Sequence, residues 1–215
     1  MNMYGNKLDK STIEKYLCDD YFLGSGKEVN AYRYNDLVIK IFKEDKTSPF
    51  VSLSEDAILK LASLPLKCFN KPIDIIVSGN KMVGYTEKYL EECMTSDGVI
   101  YDSFCDIKDD ITVLSQNGFV INDLFYNYAL VNDKIVFYDM TSYNYVNTNV
   151  PFLLDKFFKQ NIDVMNTFLV GYLYFDAFRK GSRNEYTKIY NAQEYIRCNL
   201  NGEFFSETLT NSHVK

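Results

Sequence analysis

Histidine is almost absent from this 215-residue chain: the one copy is His213, two residues from the end. Ser-His-Asp and Cys-His hydrolases need an internal histidine to carry the proton. Zinc sites of the Cys/His type need it as a ligand. Neither chemistry has its parts here. Five cysteines (Cys18, Cys68, Cys93, Cys105 and Cys198) are scattered with no Cys-x-x-Cys pair, which reads as reduced thiols in a cytoplasmic protein. A basic surplus is lacking too. With 23 Lys and Arg against 29 Asp and Glu the net charge is −6, so little is available to neutralise a phosphate backbone and no nucleic-acid partner is expected. No apolar run approaches the ~20 residues that span a bilayer, and the polar stretch Met1 to Lys10 does not read as a signal peptide.

What is present is core material. Hydrophobic residues make up 47% of the chain and charged residues 24%, enough for a packed interior and too little charge for whole-chain disorder. The length fits one large domain or two small lobes sharing a cleft. The aromatic residues Phe157, Phe158, Phe168, Tyr172, Tyr174 and Phe178 fall at helical spacing and read as core.

The N-terminal part is patterned as strands and tight turns. Ser11 to Asp19 reads as a short helix capped by Ser11, with Glu14 at the capping-box position. Strands are expected over Tyr21 to Gly26, Asn30 to Tyr34 and Leu37 to Phe42, with Asn35-Asp36 as a turn. Ser54 to Leu64 has apolar residues at Ala57, Ile58, Leu61 and Ala62, a helical period, with Ser52 or Ser54 as cap and Pro65 as stop. Ile73 to Val77 and Met82 to Tyr89 flank Ser78-Gly79-Asn80-Lys81, a hairpin signal. The first ~90 residues therefore predict a five-stranded antiparallel sheet with one helix.

The texture changes after Leu90. Glu91 to Gly98 reads as a polar hinge. Ile107, Ile111 and Leu114 recur at helical spacing, and Asn117-Gly118 is a helix stop. Phe119 to Ile121 is extended, and Tyr128 to Val131 with Ile135 to Tyr138 form a hairpin around Asn132-Asp133-Lys134. Helices follow over Phe152 to Lys159, Val164 to Phe178 and Glu185 to Cys198.

Gly24-Ser25-Gly26 and, fourteen residues after Gly26, Lys40 within Leu37-Val38-Ile39-Lys40-Ile41 carry the functional signal. Glycines let backbone N–H groups approach phosphate oxygens, and a lysine on a nearby strand adds a point charge. Lys40 lies in an apolar strand where it needs a partner, and Glu55 is available. Asp139 ends the apolar run Ile135 to Tyr138, a costly place for a carboxylate unless something positive is near.

Taken in order, these residues resemble the protein-kinase-like superfamily. Leu23 to Tyr32 looks like the glycine-rich loop, with Val29 where a third glycine is usual. Val38-Ile39-Lys40 looks like the strand-three lysine motif and Glu55 like the helix glutamate that pairs with it. Met82 to Leu90 looks like the strand that runs into the hinge, where backbone groups at Glu87 and Tyr89 would hold adenine. Ile121-Asn122-Asp123-Leu124 looks like the catalytic loop, and Phe137-Tyr138-Asp139-Met140-Thr141 stands where Asp-Phe-Gly belongs.

The resemblance, over roughly residues 20 to 145, implies an α+β bilobal kinase-like fold. Residues 1–90 would form the nucleotide-binding sheet lobe, and residues 91–215 a mostly helical lobe with a reduced activation segment. It implies ATP and Mg²⁺ as cofactors. Gly24, Ser25, Gly26 and Lys40 would meet the phosphates, Asp139 and Asn127 the metal, and Asp123 the acceptor hydroxyl. The acceptor, a protein or a small molecule, is left open. Departures point the other way. Tyr128 stands where a second metal ligand is usual, Met140-Thr141 replaces the usual Phe-Gly, and no Ala-Pro-Glu follows. A phenol is a poor ligand for Mg²⁺. A pseudokinase, binding or scaffolding with little turnover, is therefore the alternative. A small-molecule kinase, which would carry histidine near Phe125, is the third.

Overall fold

The structure, a computed structural model, describes residues 6–26, 28–43, 53–91, 102–122, 124, 127–132 and 134–180. Its main feature is a sheet in the order β1-β5-β6-β4-β3-β2. The strands are β1 (Lys7–Asp9), β2 (Phe22–Ser25), β3 (Val29–Tyr34), β4 (Leu37–Phe42), β5 (Ile75–Ser78) and β6 (Lys81–Lys88). The five strands from β2 to β6 pair antiparallel, with β4 against β6 rather than β5. The sheet nevertheless has six strands, not five, because β1 joins the edge of β5 in parallel.

Two-residue loops set the register. Asn35-Asp36 connects Tyr34 to Leu37 and Gly79-Asn80 connects Ser78 to Lys81. Asn35 (φ 53°) and Gly79 (φ 60°) take the left-handed backbone that such loops require.

Between β1 and β2 lie α1 (Lys10–Ile13) and two 3-10 turns, Glu14–Tyr16 and Asp19–Tyr21. The cap of α1 is Asp9 rather than Ser11: its carboxylate accepts from the Ser11 N–H at 2.9 Å. A carboxylate is the stronger acceptor, and Asp9 is the last residue of β1, two positions before Ser11. This segment covers one face of the sheet, where Ile13, Ile39 and Ile76 form a small core with Leu8, Tyr16 and Leu17 around it.

The opposite face carries the main core. Helix α2 (Glu55–Ser63) is capped by Ser54 and buries Ala57, Ile58, Leu61 and Ala62. Helix α3 (Asp102–Gln116) buries Ile107, Ile111 and Leu114 and ends at Gly118, φ 82°. A Cβ on Gly118 would fall on the Val146 carbonyl oxygen. Short strands β7 (Phe119–Val120) and β10 (Asn144–Tyr145) pair, as do β8 (Tyr128–Val131) and β9 (Lys134–Phe137).

Helix α4 (Pro151–Lys180) is continuous where two helices were expected. The interval between the two expected helices includes Asn161, which is fully buried and hydrogen-bonded to α3 and β7. A satisfied polar side chain inside a helix need not interrupt it. The expected helix Glu185 to Cys198 lies outside the described residues.

Candidate functional site

The linker between α2 and β5 brings β9 to the sheet. Phe69 bridges Phe137, with Phe137 N–H donating to Cys68 O and Asn70 N–H donating to Phe137 O, both at 2.7 Å. The linker is gripped from α3 by Asp110, whose carboxylate accepts from the Lys67 N–H (2.9 Å) and the Cys68 N–H (2.7 Å). Asn70 also donates to Lys88 O at the end of β6 (2.8 Å). Two residues past β9, Asp139 turns back through a left-handed backbone, φ 59°, a conformation that Asp adopts more readily than most residues.

These connections set Asp139 against Lys40. The Lys40 ammonium, almost fully buried, lies 3.0 Å from Glu87 Oε1 and 3.2 Å from Asp139 Oδ1. It also sits 5.6 Å over the Tyr85 ring centroid, within cation–π range. The two acids differ in access: the Glu87 side chain is 5% exposed and that of Asp139 38%. The cluster is closed at Glu87 and open at Asp139.

Burial alone would lower the Lys40 pKa. The surrounding anions outweigh it and hold the ammonium well above the usual lysine range. Of these, Glu87 and Asp139 lie within 3.2 Å of the ammonium. The Tyr85 phenol contributes only once ionised, and burial pushes it far above the tyrosine range. Burial likewise pushes the Glu87 carboxyl up, against the pull of Lys40.

Register gives the site a flat approach. Gly24, Ala31, Lys40 and Tyr85 stand opposite one another in one row across β2, β3, β4 and β6, and opposed residues face the same side of a sheet. From the edge inward the row presents no side chain, then a methyl group, then the lysine, over about 10 Å. Neither Gly24 nor Gly26 is at positive φ. A Cβ at Gly24 would meet open space, and one at Gly26 only ordinary contacts with Val29. The fold itself does not require glycine at either place. Gly26 N–H closes the turn onto Val29 O (2.9 Å), Lys43 Nζ donates to Gly26 O (2.6 Å), and Ser25 Oγ donates to Asn30 Oδ1 (2.9 Å).

Glu55 is not the partner of Lys40. Its carboxylate accepts from Lys7 Nζ of β1 at 2.8 Å. It lies in the first turn of α2, beside the positive end of the helix dipole, and the buried face of that helix is apolar. Tyr89 differs from expectation as well. Its N–H donates to Asp36 O (2.8 Å), and its ring carries the Arg33 guanidinium at 3.9 Å, because the β4–β6 ladder continues to Lys88.

The Asn127 carbonyl accepts from Tyr138 N–H at 2.9 Å, one residue from Asp139. Tyr128 packs edge-on against Phe168 of α4, ring centroids 5.1 Å apart. Asp123 lies outside the described residues. Among the described residues no group of three or more His, Cys, Asp or Glu could hold a metal ion by itself, and no helix is long and apolar enough to cross a membrane.

Two residues escaped the sequence reading. Glu87 entered it for its backbone, yet its side chain is the buried acid that, with Asp139, holds Lys40. The signal was available, since an acid in an apolar strand needs a cation as much as Lys40 needs an anion. Asn161 pins the strand before Asp123, and nothing in a helical pattern marks it.

No protein-family model matches the chain, and no curated protein matches it. Among solved structures, that of a pseudokinase in its apo form is similar with a TM-score of 0.40 and 12% sequence identity; the match covers 65% of this chain and 60% of that one.

Proposed function

We propose that the chain is a bilobal, protein-kinase-like nucleotide-binding protein that moves the γ-phosphate of ATP to a hydroxyl of a protein or other acceptor. The observation that carries this reading is the buried Lys40 ammonium. It lies at the inner end of a row with almost no side chains, with one acid sealed behind it and one open in front. A flat base and sugar need such a shelf, and phosphates need such a cation. The glycines at 24 and 26, which the fold does not demand, would let backbone amides approach the phosphates.

Asp139 is an oxygen donor of the type Mg²⁺ takes. Mg²⁺ is held by one or two protein groups with water and phosphate oxygens completing the shell, so Asp139 with Asn127 is a sufficient donor set. The cation would offset phosphate charge. In this reading Asp123 orients the acceptor hydroxyl and takes its proton.

The pseudokinase reading has its own support. Lys40 and Asp139 are bonded to each other, so the phosphate cation and the metal acid partly neutralise one another. Tyr128, where a second metal ligand is implied, is turned into the aromatic core.

Thermal unfolding against ATP, with and without Mg²⁺, tests the site. Ligand at ~100 times its dissociation constant adds about 2.7 kcal/mol, a rise of roughly 5–10 °C for this size. A Mg²⁺-dependent rise that Lys40→Ala and Asp139→Asn abolish supports the nucleotide site, and phosphate transfer would then be sought. The absence of any shift at millimolar ATP removes ATP from the reading and leaves a scaffold.

A further inference from the structure

We infer that Glu87, not Glu55, is the residue that positions Lys40, so that the lysine is held within the sheet by β6 and its placement does not depend on α2. The inference rests on the nucleotide-site reading and names the group that aims its cation.

Register supplies the first reason. Lys40 stands opposite Tyr85, and Glu87 is the next residue of β6 on the same face. The diagonal neighbour of a sheet position lies within reach of a long side chain, so the 3.0 Å contact follows from strand pairing and needs no helix. Three residues of β6 define the lysine's place. Glu87 holds its ammonium, the Tyr85 ring lies beneath it, and Gly84 lets the strands close up, since a Cβ there would fall on the Lys40 carbonyl oxygen.

Burial supplies the second reason. Glu87 is 5% exposed, and a carboxylate so placed must be paired. Glu55 is 32% exposed and already answered by Lys7. The buried face of α2 holds Ala57, Ile58, Leu61 and Ala62 and offers no acid to replace it.

A residue that works by aiming Lys40 affects ligands that carry phosphate and spares those that do not. Affinities for Mg²⁺-ATP and for adenosine, measured by calorimetry on the full chain, separate the possibilities. Glu87→Gln is expected to weaken Mg²⁺-ATP about tenfold, the worth of one charge-assisted hydrogen bond, and to leave adenosine unchanged. Glu87→Asp, which keeps the charge on a shorter arm, is expected to recover part of the loss, and Glu55→Gln to change neither ligand. Equal weakening of both ligands by Glu87→Gln would mean that Glu87 shapes the base site or the fold, and overturns the inference. So would a loss confined to Glu55→Gln. If Glu87→Gln does not fold, the Glu87→Asp and Glu55→Gln pair decides by the same two ligands. A wild-type chain that binds neither ligand overturns the nucleotide reading itself, and this inference with it.

Discussion

Asn161 in the middle of α4 and Ile121 just beyond β7 are joined by a buried hydrogen bond: the Ile121 N–H donates to Asn161 Oδ1 at 2.7 Å. The amide nitrogen of the same side chain donates to Phe119 O and to Ser115 Oγ, each at 2.9 Å. One fully buried side chain thus satisfies the edge, turned away from β10, of the strand that leads to Asp123. Asn161→Ala strands the Ile121 N–H and the Phe119 carbonyl away from water. Unpaired buried groups cost about 1–3 kcal/mol each, so a loss of about 3 kcal/mol is expected in urea denaturation. A change below about 0.5 kcal/mol, the scale of an ordinary surface substitution, would show that the bonds carry no net stability.

Asp110 predicts a pH dependence. Burial pushes its carboxyl up from an ordinary 3.8 to about 6, while the Cys68 and Lys67 N–H groups pull the other way. The folded chain then holds this proton more tightly than the unfolded chain between about pH 4 and pH 6. Stability from this group is therefore greatest at the acid end, falls as pH rises through that window, and is level above it. The neighbouring Asp106 is shifted in the opposite sense, by its hydrogen bond from Lys67, so its titration lies below the window. The stability of the wild type minus that of Asp110→Asn should fall between pH 4 and pH 6. A difference that rises there would mean that the two backbone bonds outweigh burial.

The ion pairs Lys7–Glu55 and Lys40–Glu87 should respond to mutation very differently. Lys7–Glu55 has side chains 62% and 32% exposed, and pairs of that kind contribute about 0–1 kcal/mol. Glu55→Gln should be nearly silent in a denaturation curve. Lys40→Met leaves Glu87 buried without its cation, at a cost of about 3–5 kcal/mol. The double variant Lys40→Met with Glu87→Gln should regain much of that loss, because both buried charges are gone. No recovery in the double variant would show that the loss does not come from leaving the Glu87 carboxylate unpaired.

The sheet was readable because its turns announce themselves. Asn35-Asp36 and Gly79-Asn80 are two-residue loops, and the strands between them follow from alternation. β4 and β8 match the sequence reading residue for residue. β1 was not readable. Lys7-Leu8-Asp9 has one apolar residue in three, and its parallel pairing with Ile75-Ile76-Val77 spans 68 positions. Lys40 and Asp139 were found because each is a charge in or beside an apolar strand. Their partnership and the place of Glu87 follow from strand order, which a linear pattern does not encode. Glu55 shows the reverse failure: a helix acid at plausible spacing was assigned to Lys40, while the cation actually beside it, Lys7, belongs to the strand that the pattern missed.

The glycines provide the last and sharpest contrast, because four of them sit in two distinct physical situations. Gly118 is at φ 82°, and a Cβ there meets the Val146 carbonyl; at Gly84 it meets the Lys40 carbonyl. Alanine at either site must displace backbone. At Gly118 it must also adopt a left-handed conformation costing about 1–2 kcal/mol, so both variants should lose about 2 kcal/mol or more. Gly24 and Gly26 have ordinary backbone and room for a methyl group. Alanine there should leave stability unchanged or raise it by up to about 1 kcal/mol, by narrowing the unfolded ensemble. If Gly24-Ser25-Gly26 approaches phosphate, those same harmless methyl groups should stand between backbone and ligand, and Mg²⁺-ATP affinity should fall while the melting temperature holds. Denaturation and ATP titration on the four variants measure both quantities. Gly24→Ala and Gly26→Ala variants that bind ATP as well as the wild type would remove this loop from the nucleotide site, and two that unfold as readily as Gly118→Ala would mean the glycines serve the turn alone.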